Sequence, residues 1–208
     1  IIGLISILIK DDNIPKEEIK DMLGVMHNSS EKLLTLVKKI LDDEANNTFS
    51  SKLFLSETNL GDLAQKVIEL NNAKALQKNI DLDLEIIGPP IVCNLDSSKI
   101  ETTLINLVSN ALKFTLSKGK VTIRMSKTDN VVLIQVQDTG IGIPASMVST
   151  FFEMDKLSST IGTGGEIGTG LGIDIVKSNV EQHNGKIWVE SKEEIGTTFF
   201  IELPIDLK

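Results

Sequence analysis

Two asparagines and a lysine recur at helical spacing in the segment Asn106-Leu-Val-Ser-Asn110-Ala-Leu-Lys113. At ~100° per residue, Asn110 and Lys113 fall within ~40° of Asn106, so the three side chains share one narrow stripe of a helix. An amide carbonyl can bind a divalent cation, and a nearby lysine can contact phosphate oxygens. The stripe predicts either a site for a cation and a phosphate or an ordinary solvated helix face.

An aspartate at the end of an apolar strand forms a second candidate group, in Asp138-Thr-Gly-Ile-Gly-Ile-Pro144. A carboxylate there can accept a hydrogen bond from a ligand amine, while Gly140 and Gly142 let the chain turn tightly beneath it. The alternative is a surface turn with an aspartate cap. Asp-x-Gly-x-Gly-x-Pro is, however, much rarer than the dipeptide Asp-Gly.

Glycines are concentrated in a third segment, residues 162–172, which holds 6 of the 15 glycines in the chain. Clustered glycines let backbone N–H groups approach a phosphate, and the helix predicted from Ile173 to Gln182 would direct its positive end at that anion. The segment is not a Walker A loop, because no Gly-Lys-Ser/Thr follows its glycines. It also differs from Gly-x-Gly-x-x-Gly, because Ile173 takes the place of the last glycine. A flexible linker is the alternative, but linkers seldom pass directly into an amphipathic helix.

The elements that would position these groups are helices and strands in mixed order after residue 48. Predicted helices run from Thr58 or Asn59 to about Lys78, from Asp96 to about Thr115, and from Ile173 to Gln182. Predicted strands are Ile80–Ile86, Val121–Met125, Val131–Gln137, Lys186–Glu190 and Thr197–Leu203. This order predicts an α+β fold, a two-layer α/β sandwich in which a mixed sheet carries helices on one face.

A helical hairpin is predicted at the N-terminus, over residues 1–47. Pro15 suits the first turn of its second helix. Four apolar residues then recur at every seventh position: Ile19, Met26, Leu33 and Ile40. This stripe predicts that the hairpin dimerises into a four-helix bundle, and the alternative is a hairpin packed on the rest of the same chain. Residues 48–208 would form the second domain.

Composition restricts the classes of partner. The chain has 208 residues, 41% of them hydrophobic, with 21 basic and 29 acidic side chains and a formal charge of −8. The acidic balance and the 4% aromatic content argue against a nucleic-acid partner. The apolar start, residues 1–9, is shorter than the ~20 residues of a membrane-spanning helix, so no membrane contact is expected. The single cysteine, Cys93, fits a cytoplasmic location, for a parent protein that is either soluble or membrane-anchored.

In this order the three motifs resemble the ATP-binding domain of sensor histidine kinases, a branch of the superfamily that also contains gyrase and MutL. Residues 106–115 resemble the N box, residues 138–144 the first G box, Phe151-Phe152 the F box and residues 168–172 the second G box. The resemblance covers about residues 52–207. It implies an ATP-dependent protein-histidine kinase of a two-component system, with ATP and Mg²⁺ as cofactors.

The resemblance also implies roles for individual residues. Asn110 would ligate Mg²⁺, while Asn106 and Lys113 would contact phosphate oxygens. Phe114 would lie beside the nucleotide, and Asp138 would accept a hydrogen bond from the adenine amino group. The other implied positions are Gly140 and Gly142 beside the base, Ile143 in the same loop, Lys156 in an ATP lid over residues 151–167, Gly168, Thr169, Gly170, Leu171 and Gly172 around the triphosphate, and Thr197 near the base.

One position separates phosphate transfer from hydrolysis. Relatives such as gyrase carry a glutamate four residues before the metal-binding asparagine, as a general base for water. This chain has Asn106 there, and an amide cannot take that proton. Glu101 is no substitute, because nine residues place it ~180° around the helix from Asn110. We therefore expect transfer rather than hydrolysis.

The histidine that would accept the phosphate is expected upstream of Ile1, because residues 1–8 resemble the helix just after the H box. No catalytic residue is then expected in this chain, and His27 and His183 are interpreted as structural. The implied partners are a second copy of the chain, through the hairpin, and a response-regulator receiver domain. Two alternatives remain: a nucleotide-sensing module without transfer activity, and an anti-sigma-type serine kinase.

Overall fold

A computed structural model describes residues 5, 14, 15, 18–27, 29, 30, 33, 53–152, 162–164, 166 and 172–205. The chain divides into two units, Ile1–Lys52 and Leu53–Lys208. In the first unit residues 18–27 are helical, and the N–H of Ile19 donates to the carbonyl of Pro15 at 3.0 Å. Most of the predicted hairpin, including Ile40, lies outside the described residues.

The second unit alternates strands and helices. In chain order the elements are β1 (Ser56–Asn59), α1 (Leu60–Lys78), β2 (Asp81–Ile87), β3 (Val92–Leu95), α2 (Ser97–Phe114), β4 (Lys120–Lys127), β5 (Val131–Asp138), α3 (Ala145–Val148), α4 (Gly172–Gln182), β6 (Lys186–Lys192) and β7 (Gly196–Pro204). Five strands form a sheet in the order β2-β4-β5-β7-β6. β2 runs parallel to β4, and the other neighbours are antiparallel. The sheet is therefore mixed, as predicted.

Both long helices begin at the side-chain caps that the sequence predicts. The Oδ1 atom of Asn59 accepts a hydrogen bond from the N–H of Gly61 at 3.0 Å, at the start of α1. The Oδ1 atom of Asp96 accepts one from the N–H of Lys99 at 3.2 Å, at the start of α2. Each cap satisfies a backbone donor that the first helical turn leaves without a partner.

The core lies between α1, α2 and α4 and one face of the sheet. Its largest fully buried side chains come from both layers: Leu60, Ile91, Leu95, Ile100, Leu104, Leu107, Leu112, Ile123, Met125, Ile134, Ile201 and Leu203. Along β5, Val132, Ile134 and Val136 are buried at alternate positions, the period of a strand with one covered face. The predicted two-layer α+β fold with helices on one face is confirmed. No helix in the described part of the chain is long and apolar enough to cross a membrane.

Three short elements were absent from the sequence prediction. β1 and β3 have four residues each and pair with each other outside the main sheet, and α3 also has only four residues. Four residues carry too little alternation to reveal a strand, since the signal depends on several repeats. The strand predicted from Ile80 begins one residue later, at Asp81.

Candidate functional site

Helix α2 presents the predicted stripe on its half-buried side. Asn106, Asn110 and Lys113 are all partly exposed, whereas Leu107 and Ala111 beside them are buried. The Nδ2 atom of Asn106 donates to the carbonyl of Thr102 at 2.8 Å. No described residue forms a hydrogen bond with the side chain of Asn110, so its carbonyl oxygen is available to a ligand.

The C-terminal turn of α2 combines a cation with an aromatic ring. The ammonium group of Lys113 lies 4.7 Å from the centroid of the Phe114 ring. Burial lowers the pKa of Lys113, and the nearby carboxylate of Glu166 opposes that shift. A positive charge that is partly withdrawn from water attracts a phosphate more strongly than a fully solvated one.

The start of α4 meets the same stripe. A Cβ atom placed on Gly172 would lie 2.7 Å from the Oδ1 atom of Asn106. The last glycine of the glycine-rich segment and the first asparagine of the stripe are therefore neighbours, as the sequence interpretation requires. Lys156, Gly168, Thr169, Gly170 and Leu171 lie outside the described residues, together with most of the predicted lid.

Asp138 ends β5 with its carboxyl group buried, and the residue is 6% exposed. Its Oδ1 atom accepts hydrogen bonds from the N–H of Gly140 at 2.8 Å and from the N–H of Thr197 at 3.2 Å. Its Oδ2 atom receives none from any described residue. Burial raises the pKa of Asp138 to about 6, although the two hydrogen bonds oppose the shift. At neutral pH the site thus holds a desolvated carboxylate with one oxygen open to a donor.

The loop after Asp138 crosses the end of α2. The N–H of Ile141 donates to the carbonyl of Phe114 at 3.2 Å, and a Cβ atom on Gly140 would collide with that carbonyl. Gly142 has a φ of 72°, and a Cβ atom there would collide with the carbonyl of Lys192. Both glycines are required by close backbone packing, which joins the Asp138 loop to the stripe on α2. The residues alone predict a tight turn at these glycines, and the resemblance places them beside the base, which stays a prediction.

Ser191 joins the loop to the last strand. Its hydroxyl group accepts a hydrogen bond from the N–H of Ile143 at 2.8 Å, and lies 2.9 Å from both the Gly196 carbonyl and the Thr197 hydroxyl. Thr197, predicted near the base, therefore contacts Asp138 through its backbone and Ser191 through its side chain. Sequence reasoning missed Ser191, since a lone serine in a strand carries no signal of such contacts.

Phe151, Phe152 and His183 make packing and hydrogen-bond contacts within the fold. Phe151 and Phe152 pack on Phe199, with ring centroids 5.6 and 6.5 Å from it. His183 is fully buried; its Nε2 atom accepts a hydrogen bond from the N–H of Asp96 at 3.0 Å, and its Nδ1 atom lies 2.7 Å from the Asn179 carbonyl. With both ring nitrogens engaged, His183 holds the fold together rather than facing a ligand.

Chemically, the described site offers different groups at its two ends. The Asp138 end supplies a buried hydrogen-bond acceptor, which suits an amino group on a flat base. The α2 end supplies an ammonium group and two amides, which suit phosphate oxygens and a hard cation. Phe114 belongs to both ends, because its carbonyl contacts the Asp138 loop and its ring contacts Lys113.

The chain is similar in sequence to known histidine kinases. The chain is 35% identical over 188 residues to the circadian input-output histidine kinase CikA of Thermosynechococcus vestitus, which covers 89% of this chain and 26% of that protein. It is 33% identical to CikA of Synechococcus elongatus, over 98% of this chain and 28% of that protein. The chain thus spans about a quarter of the length of these relatives.

Solved structures agree with the sequence matches. Histidine kinase ThkA in complex with the response regulator protein TrrA is similar with a TM-score of 0.73 and 29% identity, over 98% of this chain and 56% of that chain. The catalytic domain of ThkA alone gives a TM-score of 0.63 at 32% identity, over 73% of this chain and 95% of that chain. The sequence profile of the histidine kinase-, DNA gyrase B- and HSP90-like ATPases matches residues 95–207, which include α2, Asp138, α4 and Thr197. The chain therefore belongs to the family of histidine kinase-, DNA gyrase B- and HSP90-like ATPases, on its histidine kinase branch.

Proposed function

We propose that residues 48–208 bind Mg-ATP and position its γ-phosphate for transfer to a histidine, as the catalytic region of a two-component sensor kinase. The observation that carries the proposal is the Asp138 carboxylate, buried with one open oxygen and joined through Phe114 to the cationic stripe on α2. Family membership and the histidine kinase relatives support the same assignment.

The base would bind at the Asp138 end. The Oδ2 atom of Asp138 accepts a hydrogen bond from the adenine amino group, while Gly140 and Thr197 hold Oδ1 in place. Gly142, Ile143 and the Phe114 side chain would lie beside the base. Two backbone donors on one carboxylate oxygen fix the direction of the other oxygen, so the acceptor is already oriented when the base binds.

The triphosphate would bind along α2. The amide oxygen of Asn110 is the proposed Mg²⁺ ligand, and the Asn106 and Lys113 side chains contact phosphate oxygens. Mg²⁺ bound there would neutralise charge on the phosphates. From the part of the chain outside the described residues, Lys156 and residues 168–171 complete the set, and Gly172 adjoins Asn106.

Transfer rather than hydrolysis is supported by the side chains on α2. Asn106 stands at the position where hydrolytic relatives carry a glutamate, and its amide cannot serve as a base for water. Glu101 faces another helix, since its carboxylate lies 2.8 Å from the ammonium group of Lys66 on α1. Glu101 is the only acidic residue of α2, so the helix offers no carboxylate on the side of the stripe.

The remaining parts of the proposal concern the whole protein. The hairpin over residues 1–47 would form a homodimer, and the phosphoacceptor histidine would lie upstream of Ile1. The phosphoryl group would then pass to an aspartate on a response-regulator receiver domain. The complex of ThkA with TrrA supports this type of partner.

The test uses the full-length protein with γ-labelled ATP and Mg²⁺, followed by a receiver domain. The proposal predicts a phosphate label that is lost in acid, stable in alkali, and transferable to the receiver. Asn110→Ala is expected to abolish labelling, whereas Asn94→Ala, an exposed asparagine on β3, leaves it unchanged. An acid-stable label would instead indicate the serine kinase, and nucleotide binding without label would indicate the nucleotide-sensing module.

A further inference from the structure

Lys78, the last residue of α1, directs its ammonium group at the end of α2. Its Nζ atom donates to the carbonyl of Leu112 at 2.7 Å and lies 3.1 Å from the carbonyl of Lys113. These carbonyls belong to the last turn of α2, where helical carbonyls lack partners within the helix. A cation at this end also interacts favourably with the helix dipole. Lys78 therefore caps the helix that carries the stripe.

The same ammonium group contacts a turn from the end of the predicted lid, formed by Gly162, Thr163, Gly164 and Glu166. It lies 2.9 Å from the Thr163 hydroxyl and 2.9 Å from the Oε1 atom of Glu166. The Oε2 atom of Glu166 accepts a hydrogen bond from the N–H of Gly164 at 2.8 Å. The side chains of Lys78 and Glu166 are 18% and 34% exposed, so water screens this ion pair only partly.

The turn is also attached directly to the end of α2. The N–H of Thr163 donates to the carbonyl of Lys113 at 3.0 Å. A Cβ atom on Gly162 would collide with the side chain of Lys113 and lie 2.5 Å from the Oε2 atom of Glu166. The carboxylate of Glu166 therefore lies beside Lys113, where the phosphates would bind.

A carboxylate at this position is unfavourable for an anionic ligand unless a cation compensates it. Lys78 pairs with Glu166 directly, with its ammonium group 2.9 Å from the Oε1 atom, and the nearby charge of Lys113 adds to the compensation. Without Lys78, the negative charge of Glu166 would act against every phosphate that approaches Lys113. The repulsion would grow with the charge of the nucleotide.

We propose that Lys78 is a positioning residue of the nucleotide site, which holds the end of α2 and neutralises Glu166 so that a polyphosphate can bind beside Lys113. This inference rests on the proposed function. It assigns Lys78 no contact with the nucleotide; its effect passes through Glu166 and the last turn of α2.

The test titrates the whole chain with ADP and with a non-hydrolysable ATP analogue, both with Mg²⁺. The variants are Lys78→Met, Glu166→Gln and the double variant. Lys66→Met is the matched control, because Lys66 also lies on α1 and pairs with a carboxylate of α2, Glu101, on another side of that helix. Circular dichroism establishes that each variant is folded.

Lys78→Met is expected to weaken binding of the ATP analogue at least fivefold, with a smaller loss for ADP, since the repulsion scales with charge. The double variant is expected to bind the ATP analogue more tightly than Lys78→Met does, because removal of the carboxylate removes the need for compensation. Its remaining difference from Glu166→Gln measures the lost cap on the end of α2. Lys66→Met is expected to bind as the wild type does.

Glu166→Gln keeps the inference testable even if Lys78→Met fails to fold. Neutralising the carboxylate should leave the affinity for the ATP analogue equal to that of the wild type or higher. A loss of affinity in Glu166→Gln, or an equal loss for both nucleotides in Lys78→Met without relief in the double variant, would overturn the inference and leave a purely structural ion pair. A folded wild type that binds neither nucleotide would overturn the proposed function itself.

Discussion

The carboxyl group of Asp138 is buried, which is an unfavourable environment for its charged form. Its burial raises the pKa to about 6, so its ionisation at neutral pH opposes folding. Two backbone donors bind one carboxylate oxygen and leave the other open. Among the described residues, the only buried side-chain oxygen or nitrogen without a partner is Oε1 of Gln182, so the open oxygen of Asp138 is reachable from solvent and by a ligand donor.

Asp138→Asn is expected to stabilise the folded chain at pH 8. The pKa of Asp138 is about 6 in the folded state, against an ordinary value of 3.8, so the ionisation penalty is absent below both values and complete above pH 6. The full penalty is about 3 kcal/mol, and the new amide group, lacking a partner, offsets part of the gain, which leaves ~1–2 kcal/mol. Denaturant unfolding at pH 8 and pH 5 should show a larger gain at pH 8. A variant less stable than the wild type at pH 8 would contradict this account.

Nucleotide affinity is expected to fall as the pH drops through about 6, the pKa of Asp138. An amino group donates a stronger hydrogen bond to a carboxylate than to a neutral acid. The phosphates of the ligand titrate in the same range, so the informative quantity is the affinity of the wild type divided by that of Asp138→Asn. Calorimetry should show this ratio falling by close to tenfold between pH 7.5 and pH 5. A ratio that does not change with pH would exclude contact between the base and an ionised Asp138.

At the scale of elements, the turn between β6 and β7 supports the Asp138 loop. Gly196 begins β7 with a φ of 139°, and a Cβ atom there would collide with the carbonyl of Asp138. The next residue, Thr197, donates its N–H to the Asp138 carboxylate. The position of β7 therefore determines the position of the carboxylate.

Gly196→Ala is expected to destabilise the fold by ~2–4 kcal/mol, since it adds both backbone strain and a steric collision. Gly88→Ala is the matched control. Gly88 also has a positive φ, 97°, but no atom lies within 4 Å of its added Cβ. It should lose only ~1–2 kcal/mol, from the strain alone. Equal losses in thermal or denaturant unfolding would show that the contact with Asp138 is unimportant.

Elements were predictable wherever the signal is local. The caps Asn59 and Asp96, and the helices and main strands, follow from hydrophobic period and capping residues within a few positions. β1 and β3 were not predictable, because each gains its stability from pairing with a distant segment. The contact of Lys78 with Glu166 spans 88 residues and was likewise out of reach.

At the scale of the whole molecule, the site depends on contacts between segments that are far apart in sequence. Its motifs are visible in the sequence because each is short and chemically unusual. Their arrangement is not, since it follows from the packing of α2 against β5 and α4. The carbonyl of Phe114 joins the first two motifs, and Gly172 joins the third to Asn106.

Residues 53–208 alone are expected to fold and to bind nucleotide. All site residues that the structure describes lie in the second of the two units. A unit with its own core should keep an affinity within roughly threefold of the whole chain. The comparison requires calorimetric titration of both proteins with the same ATP analogue. A folded 53–208 fragment that fails to bind, beside a whole chain that binds, would place part of the site in the first unit.

The most direct test of the account is a calorimetric titration of the whole chain with a non-hydrolysable ATP analogue, with and without Mg²⁺, for wild type, Asn110→Ala and Asn94→Ala. The account predicts one site per chain whose affinity rises with Mg²⁺ in the wild type and in Asn94→Ala. Asn110→Ala should lose that rise and bind about tenfold or more weakly with Mg²⁺ present, since it removes the proposed metal ligand. A folded wild type that does not bind, or an Asn110→Ala that responds to Mg²⁺ as the wild type does, would contradict the central claim.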